Sequence, residues 1–154
     1  MGVEVKGLDE LKRKFEEIPK ALRRRVLRNA LASGARLVRD EAKRNAPLLQ
    51  SIMKAPYRNR GTVKNAIKVR TSKIDRRAGN VGVFVNVKPA PKGQRGAKSP
   101  TDPFYWRWLE FGTKKMSARS FLQPAADKLS QALTSFETSI ATWMTKINNG
   151  DQIK

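Results

Sequence analysis

The sequence contains no cysteine and no histidine. Without cysteine it can form neither a disulfide nor a thiolate metal site. Without histidine it lacks the commonest general base and the commonest metal ligand, and every Ser-His or Cys-His nucleophilic pair is excluded. Acidic residues are scarce: 13 Asp and Glu stand against 33 Lys and Arg, a net charge of +20. Glu16-Glu17 and Asp40-Glu41 are adjacent acids. Both pairs fall in helical patterns, where adjacent side chains diverge. They suit surface pairing with Arg13, Lys20, Arg36 or Arg44 better than a two-carboxylate catalytic site. No apolar run approaches the ~18 residues of a membrane span. The opening Met1–Lys6 segment lacks the apolar stretch of a secretory signal. Gly93, Gly96 and Lys98 have the wrong spacing for a nucleotide-phosphate loop. The expectation is a product of the cytoplasm, without catalysis, cofactor or metal.

What remains is a basic chain of 154 residues, 39% hydrophobic, enough for one domain with a core. That domain is expected over residues 1–150, with 151–154 as a tail. A charge of +20 favours a polyanion: nucleic acid, an anionic surface or an acidic protein. Three groups of basic residues are candidates for that contact. Arg23, Arg24, Arg25 and Arg28 wrap partly around one helix. Lys64, Lys68, Arg76 and Arg77 belong to Lys54–Arg77, which holds nine basic residues and one acid, Asp75. Lys92, Arg95 and Lys98 sit in a loop. Tyr57 is the only aromatic of the middle stretch, so no base-stacking platform is visible there. Such residues grip phosphates without reading bases. They serve equally to face an acidic protein.

Periodicity predicts a short helix opening at Gly7, with Leu8, Leu11, Phe15 and Ile18 on one face and Pro19 as its end. A long helix follows over about 20–45 and stops at Ala46-Pro47. Two adjacent apolar flanks widen its stripe, one through Leu22, Val26, Ala30, Gly34 and Leu37, the other through Leu27, Leu31, Ala35, Val38 and Ala42. A stripe that wide suits packing across a sheet. Residues 48–62 are irregular. Thr62–Ser72 reads as a strand, or a helical turn leading into one, and Val81–Val87 as the clearest strand. With a turn at 76–80 the two make a hairpin. Lys88–Asp102 carries three prolines, two glycines and no apolar residue larger than Ala, and is expected to be mobile. Phe104–Glu110 fits either a strand or a helical turn. A last helix is traced by Leu122, Ala126, Leu129, Leu133, Phe136, Ile140, Trp143 and Ile147, with Pro124 in its first turn and a stop at Asn148-Asn149-Gly150. Its stripe is expected to lie on the sheet rather than in a coiled coil. The fold class is therefore α+β, with long N-terminal and C-terminal helices packed on a small antiparallel sheet.

The segment Pro103–Ala125 carries the strongest signal. Phe104, Tyr105, Trp106 and Trp108 crowd together, and one strand or helical turn cannot direct all of them inward. At least one is expected at the surface, where aromatics mark interfaces. Glu110-Phe111-Gly112-Thr113 follows, with Gly112 expected at positive φ and Glu110 expected to hold the turn or pair with Arg119. Trp106, Trp108, Glu110, Phe111, Gly112, Thr113, Arg119 and Phe121 are the candidate assembly residues.

This segment resembles the Glu-Phe-Gly-Thr…Ala-Arg-Pro-Phe-Leu-Arg-Pro-Ala signature of the phage tail-completion, or head-to-tail joining, family. Gly7-Leu-Asp-Glu-Leu11 is similar to that family's Gly-Leu-x-x-Leu start, and Gly34–Pro47 to its Gly-Ala…Ala-Lys…Ala-Pro helix. Gly61–Lys68 is similar to its Thr-Gly-x-Leu-x-x-Ser-Ile segment. Ser120 stands where the family often has Pro and Gln123 where it often has Arg, and the Pro47–Gly61 stretch is longer than the pattern suggests. The resemblance implies a non-enzymatic, cofactor-free virion protein at the head–tail junction. It implies a ring of copies contacting other neck and tail proteins, with channel DNA nearby and no membrane. Two other readings stand beside it. One is a basic, non-specific nucleic-acid-binding protein. The other is a histidine-free ribonuclease seeded by Tyr57 and Glu110.

Overall fold

The computed structural model describes residues 12–13, 16–48 and 57–149. The expected first helix lies mostly outside these; within it Lys12, Arg13 and Glu16 are helical. Most of the irregular 48–62 stretch, Gly150 and the 151–154 tail also lie outside the described residues.

The long helix α1 spans Lys20–Asn45. Pro19 precedes it in an extended conformation, and its carbonyl accepts from Arg23 N at 3.0 Å. Arg23 reinforces this end: its Nη2 donates to the carbonyls of Glu16 (2.9 Å) and Ile18 (3.2 Å). At the other end Ala46 turns extended, as a residue before proline tends to do. Lys43 and Arg44 occupy the last turn, where the helix dipole favours cations.

After α1 come a one-turn helix α2 (Thr62–Ala66) and strand β1 (Ile67–Thr71). The one-turn helix α3 (Lys73–Arg77) and strand β2 (Val83–Val87) complete a two-stranded antiparallel sheet. Its register pairs Ile67 with Val87, Val69 with Val85 and Thr71 with Val83. The hairpin connection is thus more than the expected turn. Ser72 caps α3 by accepting from Asp75 N at 3.2 Å. Helix α4 (Trp106–Phe111) settles the strand-or-helix question for the aromatic segment. A 3-10 turn (Pro124–Lys128) then leads into the final helix α5 (Leu129–Asn148).

Helix α1 joins two cores. Toward its C-terminal half, Ala42 and Ala46 pack with Val63, Ile67, Val87, Phe121 and Ala125. Toward its N-terminal half, Val26 and Ala30 pack with Ile18, Ile140 and Met144, with Phe136 and Trp143 beside them. The final helix therefore finds its main partner in α1 rather than in the sheet. The hairpin is only five residues long on each strand, and α1 itself covers it. The two helices approach closely at Gly34, where a Cβ would collide with the Ala132 carbonyl. One step away Ser33 Oγ and Ser135 Oγ share a hydrogen bond of 2.9 Å.

Three positions of the expected stripes do not bury: Leu37, Ala126 and Leu129. Leu37 on α1 is 40% exposed and Leu129 is 60% exposed. The latter has a geometric cause. Four-three spacing assumes 3.6 residues per turn from Leu122 onward, but the 3-10 turn has about three. The phase shifts, so Ala125 rather than Ala126 enters the core, fully buried, and Leu129 rotates outward.

Candidate assembly surface

Three polar side chains are buried among the described residues: Thr62, Asp102 and Glu110. A buried polar group is costly unless hydrogen-bonded. All three are bonded, and each holds a loop.

Glu110 organises the aromatic segment. It sits in the last turn of α4, 4% exposed. Its Oε2 accepts from Phe121 N (2.9 Å) and Leu122 N (3.0 Å), and its Oε1 from Gln123 N (2.9 Å). These amides immediately precede the 3-10 turn, so the carboxylate gathers the backbone that leads into the final helix. Its own carbonyl accepts from Ser120 Oγ at 2.8 Å, and the Leu109 carbonyl from Arg119 N at 2.7 Å. Of the two expected roles Glu110 takes the first, holding the turn, while Arg119 is tied in through its backbone N–H rather than by a side-chain pair. An ionised carboxylate has enough lone pairs for three amide donors, and charge-assisted bonds of this kind are the stronger class.

Gly112 closes the turn. Its φ is 74° and its ψ −177°, a conformation that L side chains rarely adopt. A Cβ there would lie 2.9 Å from both Ala118 N and Met116 O. Thr113 N donates to Met116 O at 2.8 Å, forming an isolated bridge. Together the bonds fold 112–120 back beneath α4.

This clamp presents apolar surface to solvent. Phe111 is 76% exposed and Trp108 is 52% exposed, with Phe104 and Met116 less so. Phe104 and Trp108 stack edge to face, centroids 5.5 Å apart. Trp106 and Tyr105 turn inward, half-buried against the core around Phe121. The four crowded aromatics thus divide between core and surface. Phe121 is completely buried and cannot touch a partner. It anchors the clamp from inside.

Arg58 ties this surface to the 88–102 loop, a role the sequence did not reveal. Its guanidinium carbon lies 4.2 Å from the Tyr105 ring centroid and 5.3 Å from that of Phe104. Its Nη2 donates to the Ala97 carbonyl at 2.9 Å. The loop is pinned at its base by Asp102, 3% exposed, which accepts from Gly96 N (2.8 Å) and Ala90 N (3.4 Å). Thr62 Oγ1 donates to Pro100 O at 3.1 Å. A polar anchor stands where an apolar one was missing, and residues 91–98 form the exposed tip.

The basic candidates separate. Arg24, Arg25, Arg28 and Arg76 line one concavity, and Lys68 lines a second that also includes Arg28. Arg23 is committed to the start of α1. Arg77 and Lys64 line neither concavity. In the loop Arg95 Nε donates to Ala90 O at 2.9 Å, whereas Lys92 and Lys98 are exposed. Asp40 and Glu41 pair on α1 with Arg39 and Arg44, at 2.8 and 3.4 Å. Hydrogen bonding to Arg39 holds the Asp40 carboxyl below its ordinary range. Among the described residues no cluster of three or more metal-ligating side chains is present, and no helix is long and apolar enough to cross a membrane.

An α+β chain with a clamped turn and exposed aromatics fits a protein built to be packed against others. Residues 9–112 match the family model of bacteriophage HK97-gp10-like tail components, and the chain belongs to that family. The match takes in α1, the hairpin and α4, and ends at the glycine of the clamp. No curated protein and no solved structure matches the chain.

Proposed function

We propose that this phage tail component acts at the head–tail junction, completing the tail and joining it to the DNA-filled head. In this reading it is a structural subunit of the virion and performs no catalysis. Copies assemble as a ring in the neck, and the Trp108–Phe111 surface seats against the neighbouring subunit. The host cytoplasm is where it folds before incorporation.

The observation that carries the reading is the pairing of rigidity with exposure. Phe111 and Trp108 stay largely in solvent while Glu110, between them in the same turn, is buried under three backbone bonds. Large apolar side chains held rigidly at a surface have little entropy to lose on binding, which suits a subunit contact. The family supplies the setting, since a tail component has other tail proteins as neighbours. The test is incorporation. Trp108→Asp/Phe111→Asp should fold normally but be missing from purified particles, whereas normal incorporation would refute the surface assignment.

A further inference from the structure

We propose that the cleft between α1 and the hairpin is a binding groove for the phosphate backbone of nucleic acid. It goes beyond the joining role and does not depend on where in the particle the protein sits.

Two concavities, of about 530 and 300 Å³, lie along the same side of α1. They share Arg28 and Thr71, so they form one continuous groove. Its walls carry Arg24, Arg28 and Arg36 from α1, Lys68 and Arg70 from β1, and Arg76 from α3. Arg25 adds to the first half. No carboxylate lines either half. Arg39 also borders the groove, but its charge is already met by Asp40 through Nε–Oδ1 and Nη2–Oδ2 bonds of 2.8 and 3.0 Å. Seven cationic residues thus border the groove with no carboxylate in its lining, five of them arginines of α1 and α3, with Lys68 and Arg70 at the β1 rim, where Arg70 lies over Phe84.

The chemistry of the lining selects among polyanions. Protein–protein interfaces are typically depleted of charge and enriched in aromatic residues at their centre. This groove has no such centre: its apolar lining is limited to Ala21, Ala32, Val69, Val81 and Val83. Phe84, 39% exposed on β2, stands against Arg70 at the rim but lines neither half, and the most exposed aromatics, Phe111 and Trp108, belong to the α4 surface. A linear, aromatic-free, arginine-dominated trough suits a repeating phosphate, which the guanidinium fork binds bidentately. From Arg24 to Arg36 the helix rises roughly 18 Å at ~1.5 Å per residue. One strand of duplex presents a phosphate about every 3.4 Å of axis, so the trough spans about five. With no stacking residue and no base-reading side chain, the contact is blind to sequence.

The test measures binding of a short fluorescent DNA duplex of arbitrary sequence to the full chain, by anisotropy at two salt concentrations. Five phosphate contacts predict a loss of about 500-fold between roughly 50 and 200 mM salt. Arg24→Ala/Arg28→Ala/Arg70→Ala should weaken binding more than tenfold and lower the salt slope by about 2.7. Lys88→Ala/Lys114→Ala/Lys115→Ala removes the same charge from exposed positions outside the groove and should change affinity less than threefold. Replacing the three groove arginines with lysine should recover most of the loss. If the alanine triple variant does not fold, Arg28→Ala, at the junction of the two halves, is read in its place against Lys115→Ala. Equal losses in groove and control variants would show diffuse charge rather than a groove and overturn the proposal. Absent binding at the lower salt would overturn it too. Displacement of the duplex by poly-glutamate at equal charge would make the trough the seat of an acidic protein instead.

Discussion

Glu110 is the residue whose removal the structure prices most clearly. Glu110→Ala leaves three amides, of Phe121, Leu122 and Gln123, without their acceptor. The Phe121 amide is buried, and an unmet buried donor costs about 1–3 kcal/mol. The other two are partly buried, where water can replace some of the loss, and contribute about 0.5–1.5 kcal/mol each. The total is about 2–6 kcal/mol, with a midpoint near 4. For a domain of this size each kcal/mol lowers Tm by about 2–4 °C, so the drop should be around 10 °C. Glu110→Gln keeps the shape and one oxygen but places an NH2 group against at least one amide donor. It should cost about 1–2 kcal/mol, or roughly 2–8 °C. Thermal unfolding followed by circular dichroism reads both variants in one series. A Tm within 2 °C of the parent for Glu110→Ala would refute the clamp. So would a Glu110→Gln variant less stable than Glu110→Ala, since the order follows from the number of acceptors retained.

Further expectations come from other contacts. Gly112→Val combines a forbidden φ with a Cβ 2.9 Å from two backbone atoms, and should destabilise by at least 1–3 kcal/mol, read as a falling urea midpoint with an unchanged m-value. Gly34→Val should force α1 and α5 apart at Ala132, lowering Tm and exposing Trp143 to fluorescence quenchers; unchanged quenching would mean that the helices do not meet there. In the loop, brief trypsin treatment should cut first after Lys92 or Lys98, and Asp102→Ala, which releases the amides of Gly96 and Ala90, should speed that cleavage several-fold. Equal cleavage rates would show that Asp102 does not hold the loop. Mobility of the tip in the free protein, with protection in assembled particles, is the form in which the expected flexibility of 88–102 is proposed.

Much of the architecture was legible because it rests on local signals. The long helix ends where Ala46-Pro47 forbids it to continue, and the hairpin pairs the alternating valines of 83–87 with Ile67 and Val69. Gly112 was readable as a positive-φ position because a glycine directly after the aromatic run signals a sharp turn, whether that run is strand or helix. The misses are non-local. Whether the last helix lies on the sheet or on α1 depends on surfaces far apart in sequence, and a periodic stripe is the same in both cases. The 3-10 turn disguised itself as part of that stripe until Leu129 rotated out. Asp102 and Arg58 gave no signal, since a lone acid in a basic loop and a lone arginine read as surface charge. The groove needed the fold as well: Arg36 and Arg70 are 34 positions apart and become neighbours only when the hairpin packs on α1.

The central claim is that the turn around Glu110 exists to hold Trp108 and Phe111 outward for assembly in a tail. It is tested most directly by supplying Trp108→Asp/Phe111→Asp in trans to a phage lacking this gene and measuring the protein in purified particles. The account predicts a variant with a parental Tm that is absent from the particles, which then fail to join tails to filled heads. Particles that contain the variant in normal amount and infect normally would contradict it.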